Sequence, residues 1–343
     1  MIDVKNLVRE NVKSLVPYSC ARDEFGGSDG IFMDANENPF GKLNRYPDPY
    51  HFELKKAISR VKGITENKIF LGNGSDEIID LTYRIFCNPG SDKALIFTPT
   101  YGMYEVSAAI NDVEVIKIPL GQDFQINPDD IKKLHSYRNL KMIFICSPNN
   151  PTGNCMSSST VEEIISGFKG IAIVDEAYID FTSKPSALRL IDKYPNLIVM
   201  QTFSKARGLA SVRVGMAFAN PDIIQYFNKM KPPYNISTLN QRAALLRLEK
   251  TDEVTVQVKK IVKERERLSE KLKKISHTEV VYPSDSNFLL VKVKNGDLIY
   301  KKLTESGIVV RNRSSVLNNC IRITVGKRTE NDMFIKAFKN IKI

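Results

Sequence analysis

A mostly parallel α/β sheet joined to a smaller α+β unit is the fold this sequence predicts, and three observations carry it. Between Lys68 and Ala219, seven short apolar runs alternate with helix-length segments, the pattern of a parallel sheet covered on both faces. After Pro232-Pro233 the pattern changes to a long amphipathic stretch followed by short strands. A chain of 343 residues also exceeds what one simple core organises, so two domains are expected.

Residues 1–30 read as an N-terminal arm with a short helix and a loop marked by Gly26-Gly27 and Asp29-Gly30. The large domain, 31–235, opens with a strand at Ile31–Met33 that runs into the turn-rich Asp34-Ala35-Asn36-Glu37-Asn38-Pro39; residues 31–50 are expected at the domain junction. Arg45-Tyr46-Pro47-Asp48 is a second turn, before a helix from about Tyr50 to Lys62. The seven sheet strands are read at Ile69–Leu71, Ala94–Thr98, Val113–Ile118, Met142–Cys146, Ile171–Val174, Ile198–Gln201 and Val212–Ala219. The small domain, 236–343, begins with one helical pattern from Asn240 to Ile275, whose Val254, Val258, Ile261, Leu268, Leu272 and Ile275 recur at helical spacing. Strands at Val280–Tyr282, Phe288–Val293, Ile308–Arg311 and Ile321–Val325, and helices at Asp297–Ser306 and Glu330–Lys342, complete it.

The composition, 42% hydrophobic and 26% charged, is that of an ordinary globular protein. A formal net charge of +11 raises nucleic-acid binding, but no aromatic-interleaved basic patch accompanies it. Lysines spread over solvated helix faces account for the excess, with attraction for phosphate- or carboxylate-bearing ligands as a consequence. The five cysteines, Cys20, Cys87, Cys146, Cys155 and Cys320, are odd in number and lack a CxxC pair, so reduced thiols are expected. The three histidines share no metal-ligand spacing, and no metal is expected. Without an apolar leader or a membrane-length segment, the reading is of a soluble cytoplasmic protein.

The candidate site lies where the strands of the large domain end, the place where open α/β sheets bind ligands. Lys205 follows the run Leu197–Met200, with Arg213 eight residues on. A partly desolvated lysine beside another cation loses its proton more readily and can attack a carbonyl; alone, it reads equally as a surface lysine. Gly72-Asn73-Gly74-Ser75-Asp76-Glu77 joins a strand to a helix, whose first N–H groups form an anion site or simply a capped start. Asp76 and Glu77 would repel a phosphate unless turned away, so the contact falls to backbone N–H and the Ser75 hydroxyl. Ser147-Pro148-Asn149-Asn150-Pro151-Thr152-Gly153 is a rigid turn that poises Asn150. Asp175 ends a buried strand, where a carboxylate needs a partner such as a protonated ring nitrogen, and Tyr178 follows within reach. Tyr101, in Thr98-Pro99-Thr100-Tyr101-Gly102-Met103-Tyr104, can stack on a flat cofactor.

A phosphate cradle, an asparagine, a carboxylate for a ring nitrogen, a tyrosine, a lysine nucleophile and an arginine are what pyridoxal 5'-phosphate requires. Over nearly its full length the chain resembles the fold type I pyridoxal-phosphate aminotransferases and, among them, the histidinol-phosphate branch. The resemblance is carried by Pro17-Tyr18, Asp34–Pro39, Arg45–Asp48, Thr98–Tyr104, Ser147–Gly153, Val174–Tyr178, Ser204-Lys205-Ala206, Gly307–Arg311 and Ile321–Gly326. It implies a Schiff base between Lys205 and the cofactor, and a proton shuttle by the same lysine. Asp175 would keep the ring nitrogen protonated, Tyr178 and Asn150 would hold the phenolic oxygen, and Tyr101 would stack on the ring. Gly74, Ser75, Ser204 and Arg213 would hold the phosphate, joined by Tyr46 from a neighbouring subunit, which implies a homodimer with shared active sites; Asp76 is counted among the other cofactor-binding residues. Arg322 would bind the substrate's anionic end, carboxylate or phosphate, with Tyr18, Asn36 and Arg311 as further substrate-binding candidates. The implied reaction moves nitrogen between glutamate and imidazole-acetol phosphate; the alternatives are threonine-phosphate decarboxylation, an aromatic amino-acid aminotransferase, or a cofactor-binding regulator without chemistry. One departure stands out: after Ser204-Lys205, Arg207 and Ser211 replace an aromatic residue and a glycine frequent in relatives, so Arg207 is expected to add a cation near the site.

Overall fold

The structure, a computed structural model, describes residues 2–18 and 30–342. Seven strands build the large sheet: β1 Ile69–Asn73, β2 Lys93–Thr98, β3 Glu114–Pro119, β4 Leu140–Cys146, β5 Ile171–Asp175, β6 Leu197–Thr202 and β7 Val214–Ala219. Their order is β1-β7-β6-β5-β4-β2-β3; β7 runs antiparallel to both neighbours and the remaining pairs are parallel. The middle strands are buried along their whole length, as Ile171–Asp175 and Leu197–Thr202 are, because helices cover both faces. One face packs a core of Leu54, Ile143, Val174, Val199 and Phe218, the other a core of Phe70, Ile79, Phe144, Ile173 and Phe227. The N-terminal segment adds Val4, Val8 and Val12 to the second core.

The small sheet has the order β10-β11-β9-β8, with β8 Thr278–Val281, β9 Phe288–Val293, β10 Arg311–Asn312 and β11 Cys320–Thr324. The helices Thr251–Lys273, Gly296–Glu305 and Arg328–Lys339 close its core around Leu268, Leu289, Val291, Ile321 and Phe338. The α/β class and the seven-stranded sheet agree with expectation.

Two local expectations give way. Ile31–Met33 forms no strand: Ile31 and Met33 are exposed, and among the described residues no strand pairs with them. The expected single helix from Asn240 to Ile275 is two, Thr238–Glu249 and Thr251–Lys273, separated at Lys250 (φ −101°, ψ 34°). The first of these packs with the large sheet, since Ile236, Ala244 and Leu248 join the core of Leu54 and Phe218. Among the described residues no helix is long and apolar enough to cross a membrane. Cys87, Cys146, Cys155 and Cys320 are buried free thiols, and Cys20 lies outside the described residues.

Candidate active site

The parallel strands β2, β4, β5 and β6 deliver Tyr101, Asn150, Asp175 and Lys205 to one edge of the sheet, because each residue ends or follows its strand at the same end. The antiparallel β7 brings its start to that edge, and Asn73 pairs with Val214, so Gly74 and Ser75 stand beside Arg213. A cavity of about 370 Å³ opens there. Ser75, Asp76, Tyr101, Asn150, Asp175 and Tyr178 line it. Ser204, Lys205, Arg213, Arg311, Arg313 and Arg322 line it as well.

Gly74 starts the helix Gly74–Phe86 with φ +75°, and a Cβ there would run into the Arg213 guanidinium. Its N–H donates to the Arg213 carbonyl (2.9 Å). Gly215 lets the helix start press on β7, since a Cβ on it would lie 2.6 Å from the Ser75 nitrogen. The free N–H groups of the first helical turn therefore stand beside the Arg213 side chain, with no Cβ on Gly74 or Gly215 in the way. Arg213 Nη2 donates to Asp76 Oδ2 at 2.9 Å, and the Tyr101 hydroxyl donates to Asp76 Oδ1 at 3.2 Å. Asp76 thus spends its charge on the arginine, whereas Glu77 turns away and accepts from Asn235 Nδ2 at 2.8 Å.

Asp175 is buried. Tyr104 donates to its Oδ2 at 2.6 Å and the Ala177 N–H to its Oδ1 at 3.0 Å. Burial pushes the carboxyl above its ordinary range, against the pull of Tyr104, Ala177 and Lys205. The Lys205 ammonium lies 5.6 Å from the centre of the Tyr178 ring. Its pKa is lowered, first by burial and then by Arg322, with Asp175 and Asp76 opposing. Burial also raises the Tyr178 phenol. Arg322 lies over Phe288 (5.2 Å to the ring centre) and donates from Nη1 to Asn150 Oδ1, tying the small sheet to the large one across the cleft. The bonds Thr98-Pro99, Ser147-Pro148 and Asn150-Pro151 are cis.

Sequence reasoning missed Tyr104, which holds Asp175; Asn149, which ties the two neighbouring loops; and Arg313, which lines the cleft. Asn149 is buried, accepts from the Thr100 hydroxyl (2.9 Å) and donates to the Pro99 carbonyl (2.9 Å). Tyr104 and Asn149 sat inside motifs already singled out; Arg313 lay two residues beyond one.

Three expected residues stand outside this cleft within the single chain. Tyr46 stacks on Tyr234 (4.4 Å between ring centres) and lines a separate hollow together with Asn36. Tyr18 is 75% exposed and borders a different hollow, beside Tyr50 and Lys231. Arg207 does not reach the site either: only 5% exposed, it lies 5.5 Å from the Phe203 ring centre and lines a cavity beside the helix Thr251–Lys273.

The donor set suits a flat anionic cofactor with a basic ring nitrogen and an electrophilic carbonyl. A glycine cradle and arginine meet the phosphate, a buried carboxylate meets the nitrogen, and a depressed lysine meets the carbonyl. The fold and this site define a pyridoxal-phosphate-dependent transferase of fold type I. The chain belongs to the class I and II aminotransferase family, whose model matches residues 31–338. It is similar to a Parabacteroides distasonis protein named histidinol-phosphate aminotransferase, with 49% identity over 100% of both chains. Among solved structures it resembles the histidinol-phosphate aminotransferase of Clostridium acetobutylicum (TM-score 0.80, 28% identity, 87% of this chain and 90% of that one). A further neighbour, from Sinorhizobium meliloti, is a histidinol-phosphate aminotransferase in complex with pyridoxal-5'-phosphate (TM-score 0.79, 24% identity, 96% of each chain).

Proposed function

We propose that this chain transfers an amino group between L-histidinol phosphate and 2-oxoglutarate, giving imidazole-acetol phosphate and L-glutamate. The observation that carries this reading is a cleft in which a lysine of lowered pKa and a buried carboxylate face an arginine-lined wall. The full-length likeness to the Parabacteroides protein supports it. When bound, pyridoxal 5'-phosphate supplies an electron sink for the carbon that bears the nitrogen.

The protein's own groups do the rest. Lys205, its charge disfavoured by burial and Arg322, gives up its proton readily; its free amine would hold the cofactor at the carbonyl and, when released, would be the base that moves a proton at the substrate carbon bearing the nitrogen. Asp175, steadied by Tyr104, would accept a hydrogen bond from a protonated ring nitrogen, a cation that would offset the cost of burying its charge. Asn150 gives its oxygen to Arg322 and keeps its Nδ2 donor for the phenolic oxygen, beside Tyr178. The helix start at Gly74-Ser75, with Ser204 and Arg213, would hold the phosphate. Arg322 takes the carboxylate of glutamate or the phosphate of the other substrate.

The same reading makes the protein a cytoplasmic homodimer of large and small units in which Tyr46 and Asn36 serve the partner's cleft. Its support is the hollow around Tyr46, which carries the exposed apolar Leu43 and Leu239. The test is the absorbance of the cofactor-loaded protein during successive additions, with its mass measured by light scattering. L-Histidinol phosphate should change the spectrum and 2-oxoglutarate should restore it, at the mass of a dimer. A spectrum indifferent to histidinol phosphate would move the function to another substrate, and a monomer that cycles fully would remove the shared site.

A further inference from the structure

We infer that Arg313 is a specificity residue for the phosphorylated substrate, joining Arg322 on its phosphate and leaving the carboxylate substrate to Arg322 alone. The inference rests on the reaction proposed above. Its basis is the register of the small sheet. Arg311 lies directly opposite Arg322 in the β10–β11 pair, so their side chains share a face. The ladder continues past β10, because the Arg313 N–H donates to the Cys320 carbonyl at 2.8 Å. Strand alternation then puts Arg313 on the same face as Arg311. Asn312, between them, turns the other way and donates to Asp297 Oδ1 at 2.7 Å.

Three guanidiniums therefore gather on one sheet face, and all three line the cleft. Among the described residues none of them has a carboxylate within ion-pair distance. The Nε atoms of Arg313 and Arg322 are buried without an acceptor. Burial, Arg322 and Arg311 all disfavour the charge on Arg313. Crowding like charges on a strand pair is unfavourable, and so is an unsatisfied buried donor; both costs vanish when an oxyanion enters. A carboxylate offers one charge and two oxygens, which one arginine fork satisfies. A phosphate dianion offers twice the charge and three oxygens, enough for the whole cluster. Arg322 is anchored to the opposite wall through Asn150, whereas Arg313 is held by its backbone at the head of the hairpin turn, where Val316 and Leu317 donate to its carbonyl.

The test uses Arg313→Gln in the cofactor-loaded enzyme, with each half-reaction followed separately by cofactor absorbance. The concentration of L-histidinol phosphate for half-saturation should rise about 10- to 100-fold, the worth of a charged hydrogen bond. The L-glutamate half-reaction should change far less. Melting in the absence of substrate should occur no lower than in the wild type, since one repelling charge is gone. Arg313→Lys, which keeps the charge but loses the fork, should fall between. Equal losses with both substrates, or no loss with histidinol phosphate, would overturn the inference. A wild-type enzyme that reacts with glutamate but ignores histidinol phosphate would instead overturn the functional reading, and this inference with it.

Discussion

Two groups of three basic side chains meet the same electrostatic problem with opposite solutions. At the start of the helix Phe52–Lys62, His51 and Lys55 are buried near Lys231. Burial, then Lys231 and Lys55, pushes His51 down to about 3, so it is neutral. Burial and Lys231 bring Lys55 down to about 8, with Asp48 and Glu66 opposing. Lys231 donates to the Pro233 carbonyl at 2.7 Å. This group sheds or satisfies its charge within the fold. Arg311, Arg313 and Arg322 cannot, because a guanidinium keeps its proton throughout the working pH range. Their charge persists until an anion arrives. Residue type thus separates a structural cluster from a binding one, where a count of positive charges would not.

Lys205 lies between the two cases, and replacing it should have the largest effect. It sits within the field of Arg322, yet unlike an arginine it can be deprotonated. Lys205→Arg keeps the charge and nearly the length, but offers no free amine. Transamination measured with saturating cofactor should fall about 10³-fold or more, as far as in Lys205→Ala. An active Lys205→Arg enzyme would break the comparison, since charge alone would then suffice.

Arg322→Gln comes next, and it separates the shared arginine from the selective one. Both L-glutamate and L-histidinol phosphate should bind about 10- to 100-fold more weakly, because each loses the same fork. Steady-state KM for the two substrates reads this directly. A loss confined to one of them would assign the shared role elsewhere in the cluster.

How much of this was legible in the sequence differs between the two sheets. The strands of the large sheet were readable because apolar runs such as Ile171–Val174 are buried on both faces and end in turn residues. Lys205, Asp175, Asn150 and Arg213 were readable because they stand at those ends. The break at Lys250 was not, since neither glycine nor proline marks it. Ile31–Met33 looked like a strand from its apolar content alone, which says nothing of whether a partner strand exists. Tyr104 reaches Asp175 across 71 residues of chain, and Arg313 acquires a face only once Arg311 is set opposite Arg322. These are through-space relations that no local pattern encodes.

The smallest of these effects concerns His51 and is read in stability, not in rate. Its folded-state pKa, about 3, lies below the unfolded value of 6.5. Between these values the unfolded chain binds a proton that the folded chain refuses, so stability is lost as pH falls through 6.5 toward 3. At pH 5 the loss is about 2 kcal/mol, from 1.5 pH units at 1.36 kcal/mol each. His51 has φ 58°, a conformation that asparagine tolerates, so His51→Asn removes the titration with little backbone strain. Urea unfolding at pH 7 and pH 5 should show the wild type losing about 2 kcal/mol more than the variant between the two pH values. Equal losses would mean that His51 is protonated in the fold. The group around it would then hold its charge as the arginines do, and the contrast between the two clusters would no longer rest on residue type.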